Sequence, residues 1–153
     1  MANTYTQIHI QAIFAVKYRK AMVGPIWQDE LYKYITGIIQ SEGHKLLAIN
    51  GTTDHIHILF GMRPIQALSD LIMKVKSHSS KWINEKGLTS TKFQWQEGFG
   101  GFSYGKTQVP GVISYIHKQE EHHRKRNFLE EYKEILEFFE VEYNVQYIFI
   151  EPI

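Results

Sequence analysis

Along the first hundred residues the hydrophobic repeat switches between two residues and three to four, in an order that few folds accommodate. Residues 5–16 set Ile8, Ile10, Ala12 and Phe14 against Gln7, His9 and Gln11, the period of a half-buried strand. After Gly24-Pro25, the apolar residues Trp27, Leu31, Tyr34, Ile35, Ile38 and Ile39 recur at helical spacing until Gly43 ends the run. Residues 46–50 and 55–60 are predicted strands, and Gly51-Thr52-Thr53-Asp54 between them supplies turn chemistry for a hairpin. A second helix is predicted from Pro64 to Gly87, with Leu68, Leu71, Ile72, Val75, Ser79 and Trp82 on one face, and residues 93–95 are predicted as a fourth strand. Strand, helix, strand, strand, helix, strand is the split βαβ order of a ferredoxin-like or RRM-like α+β domain. Such a domain has an antiparallel sheet with two helices on one face and the other face free. A glycine-rich loop over 98–105, an additional C-terminal helix at about 109–123, an acidic helix at about 128–140 and a last strand at 147–150 complete the expected organisation.

A chain of 153 residues with 43% hydrophobic and 14% aromatic residues has room for one core, so residues 1–153 are read as a single domain. There is no cysteine, which excludes disulfides, thiolate metal sites and a cysteine nucleophile and leaves histidine, carboxylate and amide groups to hold any metal. No apolar run approaches the roughly 20 residues of a bilayer span, and the start Met1-Ala2-Asn3-Thr4 lacks signal-peptide character, so a cytoplasmic protein without membrane contact is expected. The net charge of +1 conceals an asymmetry. Residues 1–126 carry 16 Lys and Arg against 9 Asp and Glu, whereas residues 127–153 carry 1 against 7. A basic body facing a polyanion, with an acidic tail turned away from it, is one reading; a solvated acidic helix face is compatible with it.

Two local patterns carry chemistry. In Asp54-His55-Ile56-His57-Ile58-Leu59-Phe60, strand alternation sends Ile56, Ile58 and Phe60 to the helix-covered face and His55 with His57 to the other, where two neutral imidazoles can chelate a divalent ion. The plain alternative is an amphipathic strand with two exposed polar residues. Further on, Tyr115 and Gln119 are four apart and share one helical face. A phenol is a weak nucleophile at its ordinary pKa of about 10, but a neighbouring cation that polarises a phosphate lets it attack, and an amide oxygen is a further ligand.

These residues together closely resemble the single-tyrosine HUH transposases of the insertion-sequence-two-hundred type. The resemblance is carried by His55-Ile56-His57, Trp95-Gln96-Glu97-Gly98-Phe99, Phe102-Ser103, Tyr115-Ile116 and Gln119-Glu120-Glu121-His122-His123, with support from Lys17-Tyr18-Arg19, residues 76–80 and residues 128–132. It implies that Tyr115 attacks a DNA phosphate and stays joined to the 5′ end. It also implies that His55, His57 and Gln119 bind Mg²⁺ or Mn²⁺ and that the 109–123 helix is the catalytic one. Family members act on single-stranded DNA with hairpins at element ends, commonly as homodimers, and need no nucleotide cofactor. An enzyme of this kind would be nucleoid-associated while acting. A housekeeping relative processing repetitive extragenic palindromes and a non-catalytic nucleic-acid-binding module are the competing readings.

Lys17, Arg19, Lys74, Lys81, Arg124 and Lys125 are candidate DNA contacts, Lys74 and Lys81 because they share a face of the second helix. Residues 100–107, GGFSYGKT, match the P-loop pattern. Yet only 46 residues follow Thr107, none is aspartate, and no run of parallel βα units precedes the motif. The segment is read instead as a flexible approach to the Tyr115 helix, which its glycines would let reach a partner subunit.

Overall fold

The computed structural model of the chain describes residues 3–19, 22–123 and 127–144. Its strands are β1 (His9–Ala15), β2 (Lys45–Gly51), β3 (His55–Gly61) and β4 (Gly100–Tyr104), and its helices α1 (Gln28–Ser41), α2 (Leu68–Glu85), α3 (Val109–His117), α4 (Gln119–His123) and α5 (Phe128–Phe138). The sheet order is β2-β3-β1-β4 with every pair antiparallel. This is the ferredoxin-like arrangement expected from the periodicity. No helix among the described residues is long and apolar enough to cross a membrane. The candidate strand at 147–150 lies outside the described residues.

On one face, alternate residues of the central strands, among them Ala12, Phe14, Ile56, Ile58 and Phe60, meet Leu31, Ile35 and Ile39 of α1 and Leu71, Ile72, Val75 and Ile83 of α2 in the main core. The apolar stripe of each helix is what holds it there, since short helices gain most of their stability from such packing. Both helices run into a glycine with positive φ, Gly43 at +93° and Gly87 at +62°, the conformation that ends a helix without a Cβ penalty. In the β2–β3 hairpin the Thr52 N–H donates to the His55 carbonyl at 3.0 Å. A Cβ on Gly51 would lie 2.2 Å from that same carbonyl oxygen, so only glycine fits the turn.

Two expectations are corrected. The fourth strand is Gly100–Tyr104, inside the segment read as a flexible glycine loop, rather than 93–95. Asn84 takes both backbone groups of Phe93, accepting from its N–H at 2.8 Å and donating to its carbonyl at 3.0 Å, so that segment is tied to α2, and its backbone pairing with the sheet side is the isolated Val16–Trp95 bridge. The ladder resumes where Gly100 and Gly101 pair with Ile13 and Ala12. With residues 100–104 in a strand and Lys106 and Thr107 in a 3₁₀ turn, the P-loop pattern forms no phosphate loop.

The second correction concerns the face opposite α1 and α2, which is covered. Ile116 of α3 packs on Ala48 and Leu59, and Phe128 and Leu136 of α5 pack on Ile13, Ala15 and Phe102. Asn50 fixes the end of α3 by donating to the carbonyls of Ile116 and His117 at 3.0 and 3.2 Å.

Candidate active site

His55 and His57 project from β3 toward this second layer and are 1% and 0% exposed, so they are interior residues and not the polar surface of an open sheet. Their cross-strand neighbours Ala15 and Ile13 are small or apolar, and their polar partners come from elsewhere. His55 Nδ1 lies 2.7 Å from Asp54 Oδ1 and 2.9 Å from Thr52 Oγ1, both in the hairpin turn. His57 Nδ1 lies 2.9 Å from the Gln11 amide, whose oxygen accepts from Tyr104 Oη at 2.6 Å. Each ring therefore has its Nδ1 side anchored by the sheet and its Nε2 side turned to the helices, as in carboxylate–histidine and amide–histidine metal sites.

The Nε2 atoms meet Glu131. Its Oε1 is 3.0 Å from His57 Nε2 and 3.5 Å from His55 Nε2, and its Oε2 accepts from Tyr115 Oη and, at 3.3 Å, from Gln119 Nε2. Gln119 Oε1 also lies 3.2 Å from His55 Nε2. Gln119 and Glu131 are both 0% exposed. Ring packing closes the cluster: Phe128 stacks on His55 at 4.3 Å, His122 stacks on Tyr115 at 4.3 Å, and His57 meets Tyr115 edge-on at 6.1 Å.

Tyr115 and Gln119 come together as their spacing predicts, but not on one unbroken helix. Lys118, at φ −101° and ψ 24°, separates α3 from α4. One chain alone brings Tyr115 and Gln119 against its own His55 and His57. Glu131 is the residue that sequence reasoning missed. It sits three residues after Phe128 and four before Ile135, within the stripe by which α5 packs on the sheet, and a carboxylate in an apolar stripe was the available signal.

A buried carboxylate facing two imidazoles shapes the electrostatics. Burial alone would lower the His55 pKa, but hydrogen bonds to Asp54 and Glu131, with their charges, outweigh it and the net shift is upward. A proton is thus held among groups that equally suit a cation. Two imidazole nitrogens and a carboxylate oxygen lie within 4.8 Å of one another. Bonds of about 2.1 Å to a common ion put neighbouring ligands about 3.0–3.4 Å apart, and the separations here are 3.0, 3.2 and 3.5 Å. The donor set fits a divalent ion that takes nitrogen and oxygen.

The candidate DNA contacts are scattered. Lys74 is 3.1 Å from Glu42, the residue that follows α1, and Lys81 is exposed, 3.8 Å from Glu85, both on the far side of the sheet from the histidines. Lys17 follows β1 in a 3₁₀ turn that ends at Arg19. Arg124 and Lys125 lie outside the described residues.

Two solved structures share this fold. A candidate transposase from Deinococcus radiodurans R1 superposes with a TM-score of 0.62 at 18% identity, covering 78% of this chain and 95% of the other. A REP-associated tyrosine transposase, solved bound to a REP hairpin, gives 0.60 at 13% identity, covering 80% and 73%. No curated protein sequence matches significantly. The family described as "Transposase IS200 like" matches residues 4–119, from the approach to β1 through both histidines and Tyr115 to Gln119. The chain belongs to the IS200-like transposase family.

Proposed function

We propose that residues 1–153 act as one transposase domain that cleaves and rejoins single-stranded DNA at insertion-sequence ends, with Tyr115 as nucleophile. The observation that carries this reading is the convergence of Tyr115 Oη, both histidine Nε2 atoms and Gln119 on the Glu131 carboxylate. In cleavage the Tyr115 oxygen bonds to phosphorus and the bond from phosphorus to the 3′ oxygen breaks. The phenol proton passes to Glu131 Oε2, and the 3′ oxygen leaves as a hydroxyl after taking up a proton. The 5′ phosphate remains on the tyrosine, and attack by another strand's 3′ hydroxyl reverses the step. One ester replaces another, so no nucleotide cofactor is needed.

His55, His57 and Glu131, with Gln119, are the residues that would hold Mg²⁺ or Mn²⁺. A divalent ion bound there supplies Lewis-acid polarisation of the phosphate. Asp54 and Gln11 orient the rings from behind, while Phe128 stacks on the His55 ring and His122 on the Tyr115 ring.

The test is a denaturing gel after incubation of the protein with hairpin-bearing single-stranded DNA and Mn²⁺. A DNA–protein adduct is expected, and Tyr115→Phe abolishes it while binding persists. An adduct that persists in that variant would mean another tyrosine is the nucleophile. Likeness to the REP-associated structure supports a second reading, processing of repetitive extragenic palindromes by the same chemistry; it is preferred if a REP hairpin gives adduct and element ends do not. β4 is an edge strand, which supports a homodimer built by extending the sheet. Light scattering checks the dimer. Because one chain assembles the whole cluster, a mixture of His57→Ala and Tyr115→Phe chains is expected to stay inactive.

A further inference from the structure

On the α2 side of the sheet edge, away from the histidines, lies an open cleft of about 520 Å³. One wall is the α2 stripe Ser69, Met73, Lys76, Ser77 and Ser80, and the other is the segment 94–99, with Lys17 at one end. Lys76 is the unusual member. Its ammonium lies over the Phe14 ring, 5.3 Å from the centroid, and donates to the carbonyls of Gln96, at 2.8 Å, and Gly98. Among the described residues no carboxylate lies within ion-pair distance of it, and burial, outweighing the opposing charge of Glu97, lowers its pKa to about 8. A half-buried cation held by backbone dipoles with charge left over is a site prepared for an anion.

We propose that this cleft holds the phosphodiester backbone of the single-stranded DNA that flanks the cleaved bond, with Lys17 and Lys76 as its cations. The proposal rests on the reading of the chain as a DNA-cleaving enzyme. Single-stranded DNA fits better than duplex because the Lys76 ammonium is recessed between a helix and an edge segment, where a convex double helix does not reach. Exposed Met73 and half-buried Phe99 add apolar surface on which bases can stack. The serine hydroxyls now bond to carbonyls of their own helix, Ser77 to Lys74 and Ser80 to Ser77, and can rotate to donate to phosphate. Position supports the assignment too. Residues Gln96 to Phe99 also line a smaller cavity on the other face of the sheet edge, together with Phe128, the ring stacked on His55. A strand turning round this edge at Gly98 would run from the cleft toward the histidine cluster.

The test measures affinity without cleavage, using full-length Tyr115→Phe protein and fluorescence anisotropy with a labelled hairpin, with and without a single-stranded flank, between 50 and 300 mM salt. Replacing Lys17 and Lys76 by Gln is expected to weaken binding of the flanked hairpin about 5–10-fold and to lower the slope of log affinity against log salt by about 1.4, about 0.7 for each lost phosphate contact. Lys33→Gln, which removes one charge from the exposed side of α1, gives the baseline. Because Lys76 also supports the 96–98 backbone, a second variant, Ser77→Glu with Ser80→Glu, keeps Lys76 and both carbonyls it contacts and should weaken binding similarly by setting negative charge against the phosphates. The proposal is overturned if both cleft variants bind like Lys33→Gln, or if they weaken the flankless hairpin equally, which would put duplex in the cleft. Adduct formation by protein with an intact Tyr115 is scored separately, so loss of this site and loss of the catalytic reading are distinguishable.

Discussion

Replacing Glu131 by Gln probes the centre of the site with the smallest change in shape. The carboxylate accepts from Tyr115 and Gln119 at Oε2 and from His57 at Oε1, and Glu131, Gln119 and His57 are fully buried. Glutamine offers one accepting oxygen and one donating NH₂ in place of two acceptors. Turned one way, the amide sets a donor against the Tyr115–Gln119 pair; turned the other, it puts a neutral donor where the carboxylate faced His57 and His55, and the bonds of both rings to a charged acceptor are lost. A hydrogen bond to a charged acceptor contributes about 1.5–3 kcal/mol. In a domain of this size 1 kcal/mol moves Tm by about 2–4 °C, so Glu131→Gln should lower Tm by about 3–12 °C. Circular-dichroism melting in excess chelator at pH 7.5 measures it. The variant should also lose Mn²⁺ affinity, read by isothermal titration calorimetry, by more than the about 10–100-fold that loss of an outer partner costs. An unchanged or raised Tm would refute the reasoning, because it would mean that burying this charge costs more than its hydrogen bonds return.

Gln11→Leu should weaken Mn²⁺ binding about 10–100-fold, since a metal on His57 Nε2 requires a proton on Nδ1 and the Gln11 amide, turned over, is the group that accepts it; calorimetry showing full affinity would remove Gln11 from this role. Tyr104, whose pKa burial pushes up to about 12, stays a phenol throughout and can serve either amide orientation. The raised His55 pKa gives a pH dependence of definite sign: in chelator its contribution to stability is complete below the ordinary value of 6.5 and fades as pH rises through the folded-state value. Urea midpoints between pH 5.5 and 8.5 should therefore fall with pH more steeply than those of His55→Gln, and parallel profiles would contradict the shift. Gly100→Ala should destabilise by about 1–3 kcal/mol, because its Cβ would meet Tyr132 Cε1 at 2.7 Å and Phe102 Cε2 at 2.9 Å; an unchanged urea midpoint would show that α5 yields easily.

Three of the four strands and the first two helices were legible from local pattern: β1 and β3 alternate, α1 and α2 repeat every three to four residues, and Gly51-Thr52-Thr53-Asp54 marks the hairpin that defines β2. What escaped was set by partners far away in sequence. Gly100-Gly101 looks like loop chemistry, and becomes a strand because β1 supplies the ladder and Tyr132 leaves no room for a Cβ. Trp95 and Phe93 look like a strand and are held instead by Ser79 and Asn84 of α2. The second face of the sheet looked free because α3 and α5 offer short apolar stripes whose destination no local pattern states.

Glu131 shows the same limit at the site. Within a tail carrying 7 acidic residues against 1 basic one, any single glutamate reads as solvated, and its neighbours Glu130, Glu134 and Glu137 are indeed exposed. The four lie on one short helix and differ only in which side they take. Glu131 shares the side of Phe128 and Leu136, so packing those residues against Ile13 and Ala15 carries its carboxylate to the two histidines. The cost of burying it is offset because His55, His57, Tyr115 and Gln119 converge there. The family match ends at Gln119, before α5 begins. The acceptor on which those side chains converge is therefore supplied by a helix outside the matched segment, and the packing of that helix shows where its carboxylate goes.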